Sequence, residues 1–283
     1  MDQSFNDLET KADTHPNEHR AAVVGPKPPL DAESIRDLLA TSLDAGRIMM
    51  EAGATTDRVE EVVHRIGTAL GADWMDIFTT PTAIIAMATS GGEHRTRVQR
   101  IVRLGVDLAR IDAINALSRK SVAERLEVPR AQAELNRIGA TPRLYGRWVT
   151  ALAVGIACAA FAFNMSGDWR VAFVTLAIAA AGQTLRVELL HRRLSALVVT
   201  AVVAIVAAAL GLVAGFILPV NANTVISASI LLLVPGVFLV GAVYDLIAGN
   251  LIAGLARGAY SAAIIVAIGS GIWLVLSIPT NWR

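Results

Sequence analysis

The residues best placed to do chemistry lie close together near the end of the chain: Pro235, Gly236, Asp245, Asn250 and Arg257. Pro235-Gly236 falls near the middle of the apolar run 224–247. A proline there removes one helical hydrogen bond and blocks another. The freed backbone groups must be satisfied by a partner helix, water or a solute. Interrupted helices of this kind line solute sites in transport proteins, the alternative being a simple packing kink. Asp245 is the only acidic residue after Glu188. A carboxylate at the centre of a bilayer costs about 2.5–3.5 kcal/mol on the insertion scale, less toward a helix end, so it calls for a partner or a wet cavity. Arg257 is the candidate partner. The pair could move a proton or attract an anion, or could only tie helix ends together; Asn250 offers a neutral hydrogen bond.

Long apolar segments have to position these residues. Five are expected, over 148–164, 171–185, 194–218, 224–247 and 259–278. Most approach the ~20 residues that cross a hydrocarbon core; the second is short and would use Trp169 and Arg186 as interfacial anchors. Arg143, Arg147, Arg186, Arg192, Arg193 and Arg257 fall on one side of these segments. Asp168, Arg170 and the uncharged 219–223 fall on the other, with a lone Arg283 at the end. The positive-inside rule then puts the N-terminus in the cytoplasm and, with an odd number of spans, the C-terminus outside the cell (inner) membrane. Ala207, Gly211 and Gly215 form a ridge of small residues that lets helices approach closely, either within the subunit or in an oligomer.

Composition agrees with a two-part chain. Of 283 residues 54% are hydrophobic and 17% charged, where soluble domains run to about 25% charged. Residues 1–144 carry 18 Lys/Arg and 21 Asp/Glu; residues 145–283 carry 7 and 3. Neither part is basic enough to suggest nucleic acid. The single cysteine, Cys158, lies in the first apolar segment and reads as a buried, inert thiol.

The polar, proline-containing residues 1–30 read as a disordered lead without a cleavable signal. Residues 31–140 read as a small α+β domain. Asp31 is placed to cap a first helix, within which Gly46 suggests close packing and which Gly53 ends. A second helix starts near Asp57, with Asp57-x-x-Glu60 as its cap, and stops at Gly71. Two or three antiparallel strands are expected over 74–80, 83–89 and 95–102. Helices follow over 107–120 and 121–137, the latter opened by Ser121-x-x-Glu124 and broken at Pro129. Glu60 and His64 stand one turn apart, more consistent with a solvated helix face than with a metal or acid/base site. Arg95, Arg97, Arg100 and Arg103 could protect a sheet edge or meet an anionic solute or lipid headgroups. No phosphate loop, nucleophile elbow or zinc signature is present, so no cofactor and no metal site are expected.

The run Glu51-Ala-Gly-Ala-Thr-Thr-Asp-Arg-Val-Glu60, then Ile66-Gly-x-x-Leu70-Gly71, the Leu-Leu-Leu-Val-Pro-Gly236 block and Asp245 with Gly-Leu-Ala-Arg257 resemble the threonine/serine exporter (ThrE, YjjP-like) family. The resemblance runs from about residue 31 onward and implies a cytoplasmic domain before about five spans. It further implies export of threonine and serine or of a dicarboxylate such as succinate. Fused members carry a second hydrophobic half, so this chain resembles the split form, which works with a smaller membrane subunit. The expectation is an α-helical integral membrane protein acting as a subunit of a secondary, proton-coupled exporter, with membrane lipid around it and a partner subunit or further copies beside it. A membrane-anchored enzyme or ligand sensor is the alternative, and an assembly scaffold a third reading.

Overall fold

A computed structural model describes residues 28–102, 105–142 and 144–278, which divide into two compact units between Ala140 and Thr141. Residues 1–27, most of the expected lead, lie outside the described residues, as do Arg103 and Arg143.

The first unit opens with α1 (Ala32–Glu51), capped by Asp31, whose carboxylate accepts from the Ser34 N–H at 2.9 Å. Ile35, Leu38, Leu39, Leu43, Met49 and Met50 are buried on one side of it, the i, i+3, i+4 pattern of a core-facing helix. Hydrogen bonds from the Ser34 hydroxyl and N–H hold the Asp31 carboxyl below its ordinary value of 3.8. This stabilisation is therefore complete above that pH and fades as the pH falls through the depressed native value. Asp31→Ala is accordingly expected to lower the melting temperature at neutral pH, with the gap to the unmodified protein closing in acid; thermal scans at pH 7 and pH 3 would read it.

α2 (Thr56–Ala69) packs across α1 at Gly46, where a Cβ would stand only 2.6 Å from Val63 Cγ2 and 2.9 Å from Ile84 Cδ1. The expected close approach is there. Gly71, at φ +125°, ends the α2 region as expected. Strands β1 (Trp74–Thr80), β2 (Ala83–Ser90) and β3 (Glu93–Arg100) form an antiparallel sheet in sequence order. Gly91 and Gly92, both at positive φ, make the tight turn pairing Ser90 with Glu93. Ile84, Ala86 and Ala88 face the helices and join one core with α1 and α2.

Two helical expectations change. α3 is one helix, Leu108–Glu124, and runs through Ser121, which does not start a new one. Its hydroxyl donates back to the Leu117 carbonyl, four residues earlier, as serines do inside helices. Arg125 ends the helix at φ 49°. Pro129 does not break α4 (Val128–Ala140) but sits in its first turn, where a missing N–H costs nothing.

The second unit contains α5 (Arg147–Ser166), α6 (Trp169–His191), α7 (Ala196–Ile217), α8 (Ala222–Ser229), α9 (Gly236–Ile247) and α10 (Leu251–Leu276). Four of these, α5, α6, α7 and α10, are long and apolar enough to cross a membrane. A fifth crossing is available if α8 and α9 form one span, broken and bent by 55°. The second and fifth segments outrun expectation. α6 continues to His191, so Arg186 lies inside the helix and not in a loop, helped by the Glu188–Arg192 pair one turn apart at 3.1 Å. α10 begins at Leu251, so Arg257 is likewise a helical residue and not a loop charge.

The ridge on α7 is matched inside the same unit. A Cβ on Gly211 would fall 2.5 Å from Ile226 Cγ1, and one on Gly215 would fall 2.7 Å from Ala222 Cβ. Small residues here admit α8 into the bundle.

Candidate functional site

The segment after α8 cannot continue as a helix. Ile230 closes α8, residues Leu231–Leu233 form one 3₁₀ turn, and Val234 is extended. Pro235 has no N–H to give, and its ring excludes the preceding turn. The Gly236 N–H bonds back to the Val234 carbonyl at 2.8 Å, and the Leu239 N–H reaches the Pro235 carbonyl at 3.0 Å. Among the described residues, the N–H groups of Val237 and Phe238 in the first turn of α9 donate to no backbone carbonyl. They form the positive end of a 12-residue helix. Pro235 is buried, Gly236 exposed, and a Cβ at Gly236 would meet nothing within 4 Å. The thiol of Cys158, buried in α5, meets the backbone of Leu232.

Near the far end of α9, Asp245 is fully buried and its Oδ2 lies 3.3 Å from Arg257 Nε on α10. Arg257 itself is 6% exposed. The expected partnership is therefore present, between two helices and not between a helix and a loop. The turn joining them is built by Gly249 at φ +87° and by the Asn250 N–H, which donates to the Asp245 carbonyl at 2.8 Å. Asn250 precedes the first residue of α10 and is half-buried. Its backbone shapes this turn beside Asp245.

The five residues divide into two places. Asp245, Asn250 and Arg257 stand together, while Pro235 and Gly236 lie at the opposite end of α9. Ten residues at 1.5 Å each separate Pro235 from Asp245, about 15 Å. α10 runs past both. Tyr260, three residues on from Arg257, makes an edge contact with Phe238 in the first turn of α9, ring centroids 5.9 Å apart.

Residue types that carry no charge signal complete the site. A Cβ on Gly241 would stand 3.2 Å from Arg257 Nη1, so a glycine leaves the guanidinium its room. Gly254 brings α9 and α10 together: a Cβ there would approach Leu246 Cγ to 2.7 Å and the Ala242 carbonyl oxygen to 3.0 Å. The buried Ser261 hydroxyl donates to the Arg257 carbonyl. The only sequence signal for these residues was their spacing, Gly241 four before Asp245 and Ser261 four after Arg257, which a helix places on one face.

Chemically, a buried ion pair is a two-state element. Its Coulomb attraction offsets the loss of hydration only while both charges are present and paired. A proton on Asp245, or an anion competing for Arg257, releases the other partner.

The first unit offers less. Glu60 Oε1 accepts from the Thr79 N–H at 3.0 Å, and His64 Nδ1 lies 3.0 Å from the Met75 carbonyl with its ring against Trp74. Both side chains fasten α2 to β1, and neither stands on a solvated face. Arg95 and Arg97 join Glu33, Arg36 and Leu39 around an open groove of about 660 Å³ beside the edge strand. Among the described residues no group of His, Cys, Asp and Glu could hold a metal ion.

A family model described as "Putative threonine/serine exporter" matches residues 40–278. The chain is also similar to the "Probable succinate transporter subunit YjjP" of Escherichia coli (strain K12), 27% identical over 254 residues, covering 88% of this chain and 97% of that one. The protein of the same description from Klebsiella aerogenes is 27% identical over 253 residues, covering 88% and 96%. No solved structure matches.

Proposed function

The chain belongs to the threonine/serine exporter (ThrE) family, transporters and not enzymes, and from that premise we propose that it is one subunit of a secondary exporter of small polar metabolites driven by proton entry. Family and apolar helices together make it a multi-pass membrane protein with four to five candidate spans. The observation that carries the proposal is the pairing of an interrupted apolar segment with a buried Asp245–Arg257 ion pair at its end. A helix serving only as an anchor needs neither.

In this reading the solute passes beside the break at Pro235 and Gly236. Asp245 takes up and releases the proton, Arg257 balances it, and Asn250 holds the turn that couples them. The solute is threonine or serine, as the family description says, or a dicarboxylate such as succinate, as the two relatives' names say. Those names also speak of a subunit; a separate membrane chain then completes the pathway. With α8 and α9 crossing as one broken span, the count is odd. The unit ending at Ala140 is then a cytoplasmic domain, the C-terminus lies outside, and the membrane is the inner one.

The test is uptake into inverted membrane vesicles prepared from the native host, with and without the gene. A proton gradient, acid inside the vesicle, is expected to drive accumulation of labelled succinate or threonine, and a protonophore to abolish it. Uptake unaffected by loss of the gene would end the transporter assignment. Uptake indifferent to the protonophore would remove the coupling.

A further inference from the structure

A buried hydroxyl inside a helix can bond back along it, and Ser42, Ser121 and Ser261 do so, each donating to the carbonyl four residues before. Two hydroxyls of the second unit do not. Thr175 of α6 is 0% exposed and Ser229 of α8 is 7% exposed, and among the described residues neither hydroxyl has a hydrogen-bond partner. A buried hydroxyl without a partner costs free energy, and a bilayer core holds no water to make good the loss. Thr79 of β1 shares the lack, but on a strand of the other unit with no break beside it.

The two hydroxyls belong to one place. Val171 and Ile178, one turn to either side of Thr175, pack in a single cluster with Val225 and Ala228 of α8. Ser229 follows Ala228 and stands one turn beyond Val225. α6 starts where α5 ends, the Trp169 ring lying against Phe163, and α8 starts where α7 ends, with Ala222 against Gly215. Short connections between packed neighbours make α5, α6 and α7 alternate in direction, so both starts lie on one side of the bundle. At 1.5 Å per residue Thr175 is about 9 Å from the start of α6, and Ser229 about 10 Å from the start of α8. The hydroxyls therefore share one level. That level is the break: Ser229 is the last residue of α8, and the extended Val234 and then Pro235 follow after one 3₁₀ turn.

We propose that Thr175 and Ser229 donate hydrogen bonds to a carboxylate of the transported solute as it passes the break. This rests on the pathway reading above, whose solutes (threonine, serine and succinate) all carry that group. Hydroxyls supply donors without adding a charge to the bundle, and a charged acceptor strengthens each bond. Neither hydroxyl has a bond within the protein to give up, so the whole of each new bond goes to the solute.

The experiment uses inverted vesicles from the native host, its own copy replaced by the unmodified gene, Thr175→Val, Thr175→Ser or Ser229→Ala, at matched amounts in the membrane. Initial uptake rates against succinate and threonine concentration give KM and kcat separately, and unfolding of each purified full chain in detergent gives a melting temperature. Thr175→Val keeps the shape and loses the hydroxyl. It is expected to raise KM about tenfold with kcat changed less, the worth of one hydrogen bond to a charged group. Its melting temperature should stay level or rise, because no bond within the protein is lost. Ser229→Ala is expected to behave in the same way, and Thr175→Ser to recover most of the rise in KM. An unchanged KM in both Thr175→Val and Ser229→Ala overturns the site, and so does a Thr175→Ser KM as high as that of Thr175→Val. Should Thr175→Val not accumulate, Ser229→Ala decides on the same KM criterion. If the unmodified protein carries neither solute, the transporter reading fails and this site with it, an outcome read from that protein alone.

Discussion

Asp245→Asn is expected to destabilise the second unit by about 3 kcal/mol or more and to abolish proton-driven uptake, the larger of the two effects being on uptake. Removing one partner of a buried pair strands the other, which costs about 3–5 kcal/mol where the remaining charge cannot reach water. Arg257 is 6% exposed, buried between α9 and α10 beside Gly241, where even an added Cβ would come within 3.2 Å of its Nη1. It has little room to swing toward solvent. Arg257→Gln alone should destabilise comparably, by stranding Asp245. The double variant Asp245→Asn with Arg257→Gln removes both charges, and should regain most of the stability without regaining transport. Unfolding in detergent measures the first half of this cycle and vesicle uptake the second. Additive losses in the double variant would show that the two side chains are not energetically coupled, and stability regained together with transport would show that neither charge is used.

Gly254→Leu is the second large expectation. Even the Cβ would stand 2.7 Å from Leu246 Cγ, and 3.0 Å from the Ala242 carbonyl oxygen. A leucine terminus could rotate aside, but a backbone carbonyl cannot, so α9 and α10 have to separate. Overpacking of this kind costs about 1–3 kcal/mol, and here it also stretches the Asp245–Arg257 contact across the same interface. Melting temperature and uptake should both fall. Gly258→Ala supplies the control one turn on, since its Cβ would meet only Ala242 Cβ, at 3.9 Å. That variant is expected to behave like the unmodified protein. If the two variants behave alike, close approach of the backbones at Gly254 is not what holds the pair.

Much of this was legible in the residues alone, where the signal was local. Asp31 announces its cap, and the alternation of residues 74–80 and 83–90 together with Gly91-Gly92 announces a hairpin. Asp245 and Arg257 stand out because charges are rare in that half of the chain. What remained hidden depended on competition between local signals. Ser121-x-x-Glu124 has the pattern of a helix start, yet the same hydroxyl can bond the carbonyl one turn back, and the continuing helix won. Arg186 and Arg257 read as loop charges because they edge apolar runs. Nothing in hydropathy says that the helix continues through them. Gly241 was overlooked and Gly254 stood only as part of a motif, for the opposite reason: a glycine amid apolar residues does not reveal its packing role until its neighbour's position is known.

The two halves of the broken segment answer to different neighbours. α8 is held by α5, α6 and α7, whereas α9 leans chiefly on α10. If α10 rocks against α7, it carries α9 along and leaves α8 behind, so the mismatch must be taken up between residues 230 and 235. A sliding motion between packed helices is thereby converted into opening and closing at a single elbow, and Tyr260, riding on α10, moves with the lower arm.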